Sequence, residues 1–253
     1  MSGAEAAAGG GPPRIVPTQP AWGRGLYDVL WVLCRTLAVA VCGFRVRFTE
    51  PLPRRGGLLV LSSHQSHLDP LLLGLAADRR LSSLARSSLY RFKPFAAVIT
   101  ALDALPIDRE GSALKAMKAV IGRLREGAAV VIFPEGTRTA TGSLGEIKPG
   151  FALVAKKAEV PIVPVAIVGA FECWPRTRLL PRPGRIRLEF GRVISAAEIA
   201  ALDERQITEL CAGMLRDLDA SARRRRAGHV ADDTASPSLI RRPPTGIAPP
   251  APA

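Results

Sequence analysis

The chain has 253 residues, of which 35 are Lys or Arg and 22 are Asp or Glu, so its formal net charge is +13. This length accommodates one large α/β domain, and the charge favours a polyanionic partner, either nucleic acid or an anionic lipid leaflet. Aromatic residues make up only 5% of the chain, which argues against base-stacking platforms. The four cysteines are scattered without a Cys-x-x-Cys pair, which argues against a disulfide framework or a zinc site.

The N-terminal part of the chain divides into two segments. Residues 1–20 are rich in Ala, Gly and Pro, and we expect them to be disordered. Residues 21–44 are densely apolar but contain Arg35 near the centre of the run, and a central arginine costs about 3 kcal/mol on membrane-insertion scales. We therefore predict a helical segment that dips into one leaflet, with Trp22 and Trp31 near the interface, while a full span is a marginal alternative.

Two other interpretations of this apolar segment stay open. It fits a buried core helix of a soluble domain. The tripeptide Ala38-Val-Ala40 also has the small residues of a signal-peptide cleavage site. The charged interruption of the run and the unpaired cysteines disfavour export.

Residues 45–220 alternate between strand and helix patterns. Predicted strands cover residues 58–61, 102–107, 128–133, 162–168 and 186–190, and predicted helices cover residues 69–77, 112–127, 151–158 and 196–222. Alternation of this kind predicts one α/β domain with a largely parallel central sheet flanked by helices. Residues 221–253 carry Arg223–Arg226 and end in Pro and Ala, which predicts a disordered basic tail.

His64 and Asp69 form the first candidate chemical group. Five residues turn a helix by about 500°, so the two cannot share a helix face. They can meet if His64 lies in the loop after a strand and Asp69 caps the next helix, with Pro70 as its first residue. Open α/β sheets bind ligands at this edge. A histidine beside a carboxylate is the minimal set for removing a proton from an alcohol.

Other interpretations of the same residues are available. His64 fits an ordinary loop histidine beside a helix cap, and Ser66 competes with Asp69 as the capping residue. With His67 added, the cluster has three potential metal ligands. The chain offers no further His, Cys or acidic cluster nearby to complete a coordination sphere.

The segment Phe133-Pro-Glu-Gly-Thr-Arg138 follows a predicted buried strand. Gly136 allows a tight turn and a close approach of the backbone to a ligand. Arg138 has the forked geometry that binds phosphate oxygens. Glu135 is suited either to ordering Arg138 or to accepting hydrogen bonds from a substrate. An ordinary loop with a surface ion pair is the alternative.

Two further cations follow strands or precede helices. Arg109 closes the segment Pro106-Ile-Asp-Arg109 after a short strand, which makes it a second candidate phosphate ligand or a solvated surface charge. Lys148 precedes a helix N-terminus, which attracts anions. The segment Val160-Pro-Ile-Val-Pro-Val165 fits the wall of an acyl tunnel or an edge strand.

Four segments occur in the order Ser63-His64-x4-Asp69, Pro106-Ile-Asp-Arg109, Phe133-Pro-Glu-Gly-Thr-Arg138 and Val160-Pro-Ile-Val-Pro164. Together they resemble the four sequence blocks of the glycerolipid acyltransferases, in particular the 1-acylglycerol-3-phosphate (lysophosphatidate) acyltransferases. The resemblance covers about residues 45–195. Ser63 stands where that family commonly has Asn before the histidine.

The resemblance implies a function and a role for each matching residue. His64 would be the general base and Asp69 would orient it. Acyl-CoA or acyl-carrier protein would be the co-substrate, and the lysophospholipid 1-acylglycerol-3-phosphate would be the acceptor, giving phosphatidate. No metal or cofactor would be needed. The expected location is the cytoplasmic face of the membrane, on an anionic surface, without nucleic acid. The implied ligands of the acceptor's glycerol phosphate are Arg109, Glu135, Gly136 and Arg138. We add Thr137 and Lys148 to the predicted substrate-binding residues.

Three alternatives remain at this point. The chain is also compatible with an acyltransferase for another lyso-lipid, or with a non-catalytic lipid-binding protein of the same fold. The cluster Arg223–Arg226 is the only feature of the sequence that favours a nucleic-acid binder.

Overall fold

The computed structural model describes residues 21–86, 105–107, 113–178 and 180–228. Its centre is a seven-stranded sheet with the order β1-β7-β6-β2-β5-β3-β4. In chain order the strands are β1 (Arg45–Phe48), β2 (Leu58–Ser62), β3 (Leu81–Arg86), β4 (Leu105–Ile107), β5 (Ala129–Ile132), β6 (Ile162–Val168) and β7 (Arg187–Phe190).

Five strands of this sheet run in one direction. Strands β6, β2, β5, β3 and β4 are mutually parallel. Strand β7 pairs antiparallel with β6 and parallel with β1, so the last two strands are reversed. The predicted α/β class with a largely parallel sheet is confirmed. Of the predicted strand 102–107, residues 105–107 form β4, and residues 102–104 lie outside the described residues.

Helices cover both faces of the sheet. They are α1 (Ala21–Cys42), α2 (Asp69–Ala76), α3 (Ala113–Arg125), α4 (Gly150–Ala158), α5 (Ala170–Cys173), α6 (Ala196–Ala201) and α7 (Glu204–Arg226). Leu58 and Val60 of β2 face the core that α1, α2 and α5 cover, whereas Leu59 and Leu61 face α3, α4 and α7. All four side chains are fully buried, and burial of each leucine contributes about 1.5–3 kcal/mol. The continuous apolar run therefore marks a central strand.

The start of α2 differs from the prediction. Asp69 is the first helical residue and Leu68 is the N-cap, without a side-chain capping bond. The Asp69 carboxylate faces back toward the preceding loop and accepts hydrogen bonds from the main-chain N–H groups of Gln65 and Ser66. The predicted N-cap role of Asp69 is wrong, because the helix begins one residue earlier and the carboxylate is bound by the preceding loop.

The C-terminal helical region is divided and longer than predicted. Asp203 begins α7 through a capping box with Gln206, which separates α6 from α7. Helix α7 then continues to Arg226, so the predicted start of a disordered tail at residue 221 is wrong. Its last turn is held by ion pairs from Arg225 to the buried Glu189 and from Arg226 to Glu172. The rest of that tail, residues 229–253, lies outside the described residues, as do residues 1–20.

Helix α1 packs against the sheet domain with one side. Cys34, Ala38 and Cys42 contact the core, and the Arg35 guanidinium donates a hydrogen bond to the carbonyl of Leu75 in α2. The side chains of Trp22 and Trp31 lie outside the described residues. Within the part of the chain that the structure describes, no helix has both the length and the apolar character that a membrane crossing requires.

Candidate active site

The imidazole of His64 and the carboxylate of Asp69 meet at the carboxyl end of β2. His64 lies in the loop two residues after the last residue of β2, and Asp69 opens α2. The Nδ1 atom of His64 is 2.7 Å from Oδ2 of Asp69. The contact that the five-residue spacing predicted is therefore present, at the edge where parallel strands place ligands.

The environment of Asp69 fixes the tautomer of His64. Oδ2 of Asp69 also accepts the main-chain N–H groups of Gln65 at 2.6 Å and Ser66 at 2.7 Å. Burial raises the pKa of the Asp69 carboxyl, and the hydrogen bond and charge of His64 and the main-chain donors oppose that rise. Because Oδ2 is an acceptor in this arrangement, Nδ1 of the neutral imidazole carries the hydrogen. Nε2 is then left with the lone pair that can take a proton.

The ring of His64 is held on one face by an aromatic side chain. Its centroid lies 3.9 Å from that of Phe133, with 17° between the planes. The main-chain N–H of Thr139 donates to the carbonyl of His64 at 2.8 Å. Only 19% of the His64 side chain is exposed. The imidazole is thus fixed in orientation and reachable along a limited edge.

Glu135 ties the loop of the histidine to its own loop, which follows β5. Oε1 accepts the main-chain N–H of His64 at 2.7 Å, and Oε2 accepts the main-chain N–H of Gly145 at 2.8 Å. Burial raises the pKa of this carboxyl, and the two main-chain donors oppose the rise. The sequence suggested contact with Arg138 or with a substrate. The structure instead directs both oxygens to the main chain.

Gly136 and Lys148 lie against each other. Gly136 has φ of +71°, a conformation that side-chain-bearing residues rarely adopt. A Cβ atom there would be 3.3 Å from Nζ of Lys148, and the main-chain N–H of Lys148 donates to the carbonyl of Pro134 at 3.1 Å. An exposed ammonium group therefore stands over the glycine turn, next to the exposed Thr137.

Arg138 contacts a residue that the sequence analysis considered only as a metal ligand. Its Nη1 donates a hydrogen bond to Nε2 of His67. Burial lowers the pKa of His67, and the positive charges of Arg138 and His64 lower it further. The indole of Trp174 flanks the imidazole at 5.5 Å between centroids. His67 Nε2 is thus turned toward a cation, which opposes metal binding at that atom.

Arg109 lies outside the described residues. The strand before it, β4, is the last strand on the β3 side of the sheet, two strands away from β5. Because β4 runs parallel to β3 and β5, its carboxyl end is at the same edge of the sheet as His64.

Sequence analysis missed the role of Gln65. This buried side chain donates from Nε2 to the carbonyl of Gly142 at 2.9 Å, and its Oε1 accepts the N–H of Phe171 at 3.2 Å. Arg223 of α7 donates to the same Gly142 carbonyl at 2.6 Å. Gln65 therefore links the His64 loop to the loop after Arg138 and to α5. The available signal was a run of polar residues directly after a fully apolar strand.

The described side chains have the groups that proton removal beside positive charge requires. A fixed imidazole offers Nε2, a buried carboxylate stabilises the imidazolium that would form, and Lys148 and Arg138 supply cations near the same strand ends. This combination suits the deprotonation of a hydroxyl on an anionic substrate.

Comparisons with known proteins point to acyltransferases. The family model described as Acyltransferase matches residues 43–168. The 1-acyl-sn-glycerol-3-phosphate acyltransferase of Bacillus subtilis is 28% identical over 165 residues, or 65% of this chain and 80% of the relative. The enzyme of the same name from Pseudomonas aeruginosa is 32% identical over 165 residues, or 64% of this chain and 63% of the relative.

A solved structure has the same fold. The crystal structure of the 1-acyl-sn-glycerophosphate (LPA) acyltransferase PlsC from Thermotoga maritima matches with a TM-score of 0.64 and 21% identity, over 79% of this chain and 81% of that chain. The matched residues of the family model include His64, Asp69 and Phe133–Arg138. The chain belongs to the acyltransferase family and is an acyltransferase.

Proposed function

We propose that the chain transfers an acyl group from a thioester, acyl-CoA or acyl-carrier protein, to the free hydroxyl of 1-acylglycerol-3-phosphate and so produces phosphatidate. The observation that carries this proposal is the 2.7 Å contact between His64 and the buried Asp69, with cationic side chains beside it. The names of the relatives support the acceptor.

The proposed chemistry is direct transfer with His64 as the general base. Nε2 takes the hydroxyl proton while the acceptor oxygen attacks the thioester carbonyl. The C–S bond then breaks, and the thiolate leaves with the proton that the imidazolium returns. Asp69 stabilises the imidazolium. Base assistance supplies about 10²–10⁴ in rate, so positioning of the two substrates supplies much of the rest.

The phosphate of the acceptor is assigned to the cations around the glycine turn. Arg138 and Lys148 provide a guanidinium and an ammonium group, and Gly136 and Thr137 present exposed main chain and a hydroxyl between them. Arg109 is proposed as a further phosphate ligand. Glu135 is proposed to act through His64, because both of its oxygens are occupied by main-chain donors.

The acceptor is an amphiphile, and α1 offers a surface for the membrane in which it resides. Val32, Leu33, Leu37 and Val41 are 44–53% exposed on this helix. An exposed apolar stripe on an amphipathic helix is suited to lying within one leaflet. We propose that α1 holds the domain on an anionic membrane surface at the cytoplasmic face.

A panel assay tests the proposed acceptor. Thiol release from acyl-CoA would be measured with lysophosphatidate, lysophosphatidylcholine, lysophosphatidylethanolamine and monoacylglycerol. The proposal expects the highest kcat/KM with lysophosphatidate. Preference for another lyso-lipid would move the acceptor assignment to that lipid, and vesicle binding without thiol release from any of them would identify a non-catalytic lipid binder.

A further inference from the structure

Four arginines and a leucine form an exposed surface between the active site and α1. The arginine surface consists of Arg176, Arg178, Leu180, Arg182 and Arg185, all of them exposed. Leu180 is 73% exposed, more than any other large apolar side chain that the structure describes. An apolar side chain so open to water among cations calls for a partner that is both apolar and negatively charged.

One end of this segment adjoins the active site. Trp174 flanks His67 at 5.5 Å between ring centroids, and its carbonyl accepts the Ser66 hydroxyl at 2.7 Å. The indole Nε1 donates to the carbonyl of Arg178 at 3.1 Å. The arginine surface therefore begins beside the loop that carries His64.

The other end of the segment is joined to the C-terminus of α1. The N–H of Ile186 donates to the carbonyl of Cys42 at 2.9 Å, and the N–H of Gly184 approaches the carbonyl of Val41 at 3.4 Å. Val41 belongs to the exposed apolar stripe of α1, four residues after Leu37. The segment that carries the arginine surface thus runs from the loop beside His64 to the end of α1.

The segment itself contains no acidic residue to balance its positive charge. Residues 174–186 contain four arginines and no Asp or Glu. The preceding acid, Glu172, lies 2.7 Å from Arg226 of α7. The segment therefore adds about four positive charges beside an apolar stripe, which is complementary to anionic headgroups above acyl chains.

We propose that the arginine surface is a second membrane contact, which binds the headgroups of an anionic leaflet while Leu180 enters the acyl boundary. The inference rests on the proposed function, because a membrane-resident acceptor must reach His64 from that leaflet. Together, α1 and the arginine surface flank the path to the site. Each arginine near an anionic surface strengthens partitioning by about fivefold.

The test is vesicle partitioning of the full chain and two charge-matched double variants. The first variant is Arg176→Gln with Arg178→Gln. The control is Arg54→Gln with Arg55→Gln, which removes the same charge from the exposed loop before β2, at the opposite edge of the sheet from His64. Vesicles are phosphatidylcholine alone or phosphatidylcholine with about one third phosphatidylglycerol.

The expected result is a loss of about tenfold or more in partitioning to the anionic vesicles for the first variant, little loss for the control, and no difference on phosphatidylcholine alone. Leu180→Ser is expected to weaken partitioning to both kinds of vesicle. Equal losses for both double variants, or no loss for the first, would overturn the proposal. If the first variant lost self-association but kept its vesicle binding, the surface would be assigned to a contact with a second copy of the chain. That result would also overturn the proposal.

A parallel assay separates this inference from the proposed function. Thiol release is measured with a short-chain lysophosphatidate that is soluble as a monomer. Unchanged turnover in the Arg176/Arg178 variant together with weakened vesicle binding supports both proposals. Unchanged turnover with wild-type vesicle binding rejects the arginine surface alone. Absence of turnover in the wild type, with the same pattern of vesicle binding, rejects the proposed function alone.

Discussion

The main-chain N–H of His64 donates to Oε1 of Glu135 at 2.7 Å, although the two residues are 71 positions apart. The second oxygen of the carboxylate holds Gly145. Glu135 therefore holds the backbone of His64 in place. Glu135 itself belongs to the segment that carries Arg138. One buried carboxylate positions both the loop that carries Arg138 and the loop that carries His64.

Glu135→Gln tests this positioning role. The amide NH2 would face a main-chain N–H, so one buried donor would lose its acceptor at a cost of about 1–3 kcal/mol in the free energy of unfolding. We expect that loss in urea denaturation, together with a lower kcat. Glu146→Gln, a nearby exposed residue, is the matched control. Wild-type stability and turnover in the Glu135 variant would contradict the assigned role.

Asp69→Asn tests the contribution of the carboxylate charge. Oδ1 of Asp69 has no hydrogen-bond partner within the described part of the chain, so the amide NH2 can occupy that position while the carbonyl keeps the bonds of Oδ2. The geometry would persist without the charge that stabilises the imidazolium. We expect kcat to fall by about 10²-fold or more with a near-constant KM for the acceptor.

The exposed Asp217 on α7 provides the matched variant for this comparison, Asp217→Asn. It should retain wild-type kinetics. If Asp69→Asn and Asp217→Asn behaved alike, the pairing of Asp69 with His64 would have no part in turnover.

The sequence predicted the features that depend on residues close together in the chain. The continuous apolar run of Leu58–Leu61 indicated a buried strand, and the positions of His64 and Asp69 allowed the two side chains to meet at its end. The connection from Glu135 to His64 was not predictable, because it joins a side chain to a main-chain group of a distant segment. The same reason explains the missed end of α7, where Arg225 pairs with the distant Glu189.

Arg138→Gln tests phosphate recognition. Loss of a charge-assisted contact costs about 1.5–3 kcal/mol, so we expect the KM for lysophosphatidate to rise by about 10- to 100-fold. The KM for monoacylglycerol, which lacks the phosphate, should change little. Initial rates of thiol release with both acceptors measure the difference. An equal effect on both acceptors would show that Arg138 acts on the fold of the loop and does not bind the phosphate.

His67 gives a prediction for pH. Its pKa is lowered from the ordinary 6.5 by burial, Arg138 and His64, against the opposing charge of Asp69. The unfolded chain therefore binds more protons at this position than the folded chain between the lowered pKa and 6.5. The free energy of unfolding should therefore rise with pH through this interval. Above pH 6.5 the titration of His67 should add nothing further to its pH dependence.

His67→Gln removes that contribution and keeps a side chain able to accept a hydrogen bond from Arg138. Urea denaturation of both proteins between about pH 5 and pH 8 measures it. The difference in stability, wild type minus variant, should increase as pH rises toward 6.5 and then level off. The change in this stability difference is expected to be small, because the ring of His67 is largely exposed to solvent. A difference that does not vary with pH would exclude a lowered pKa at His67.

The most direct test of the account is thiol release by His64→Ala with acyl-CoA and lysophosphatidate, alongside its circular dichroism and its partitioning to anionic vesicles. The account predicts a loss in kcat of about 10²-fold or more with folding and vesicle binding retained. Turnover equal to that of the wild type would show that the imidazole of His64 does not take the acceptor's proton.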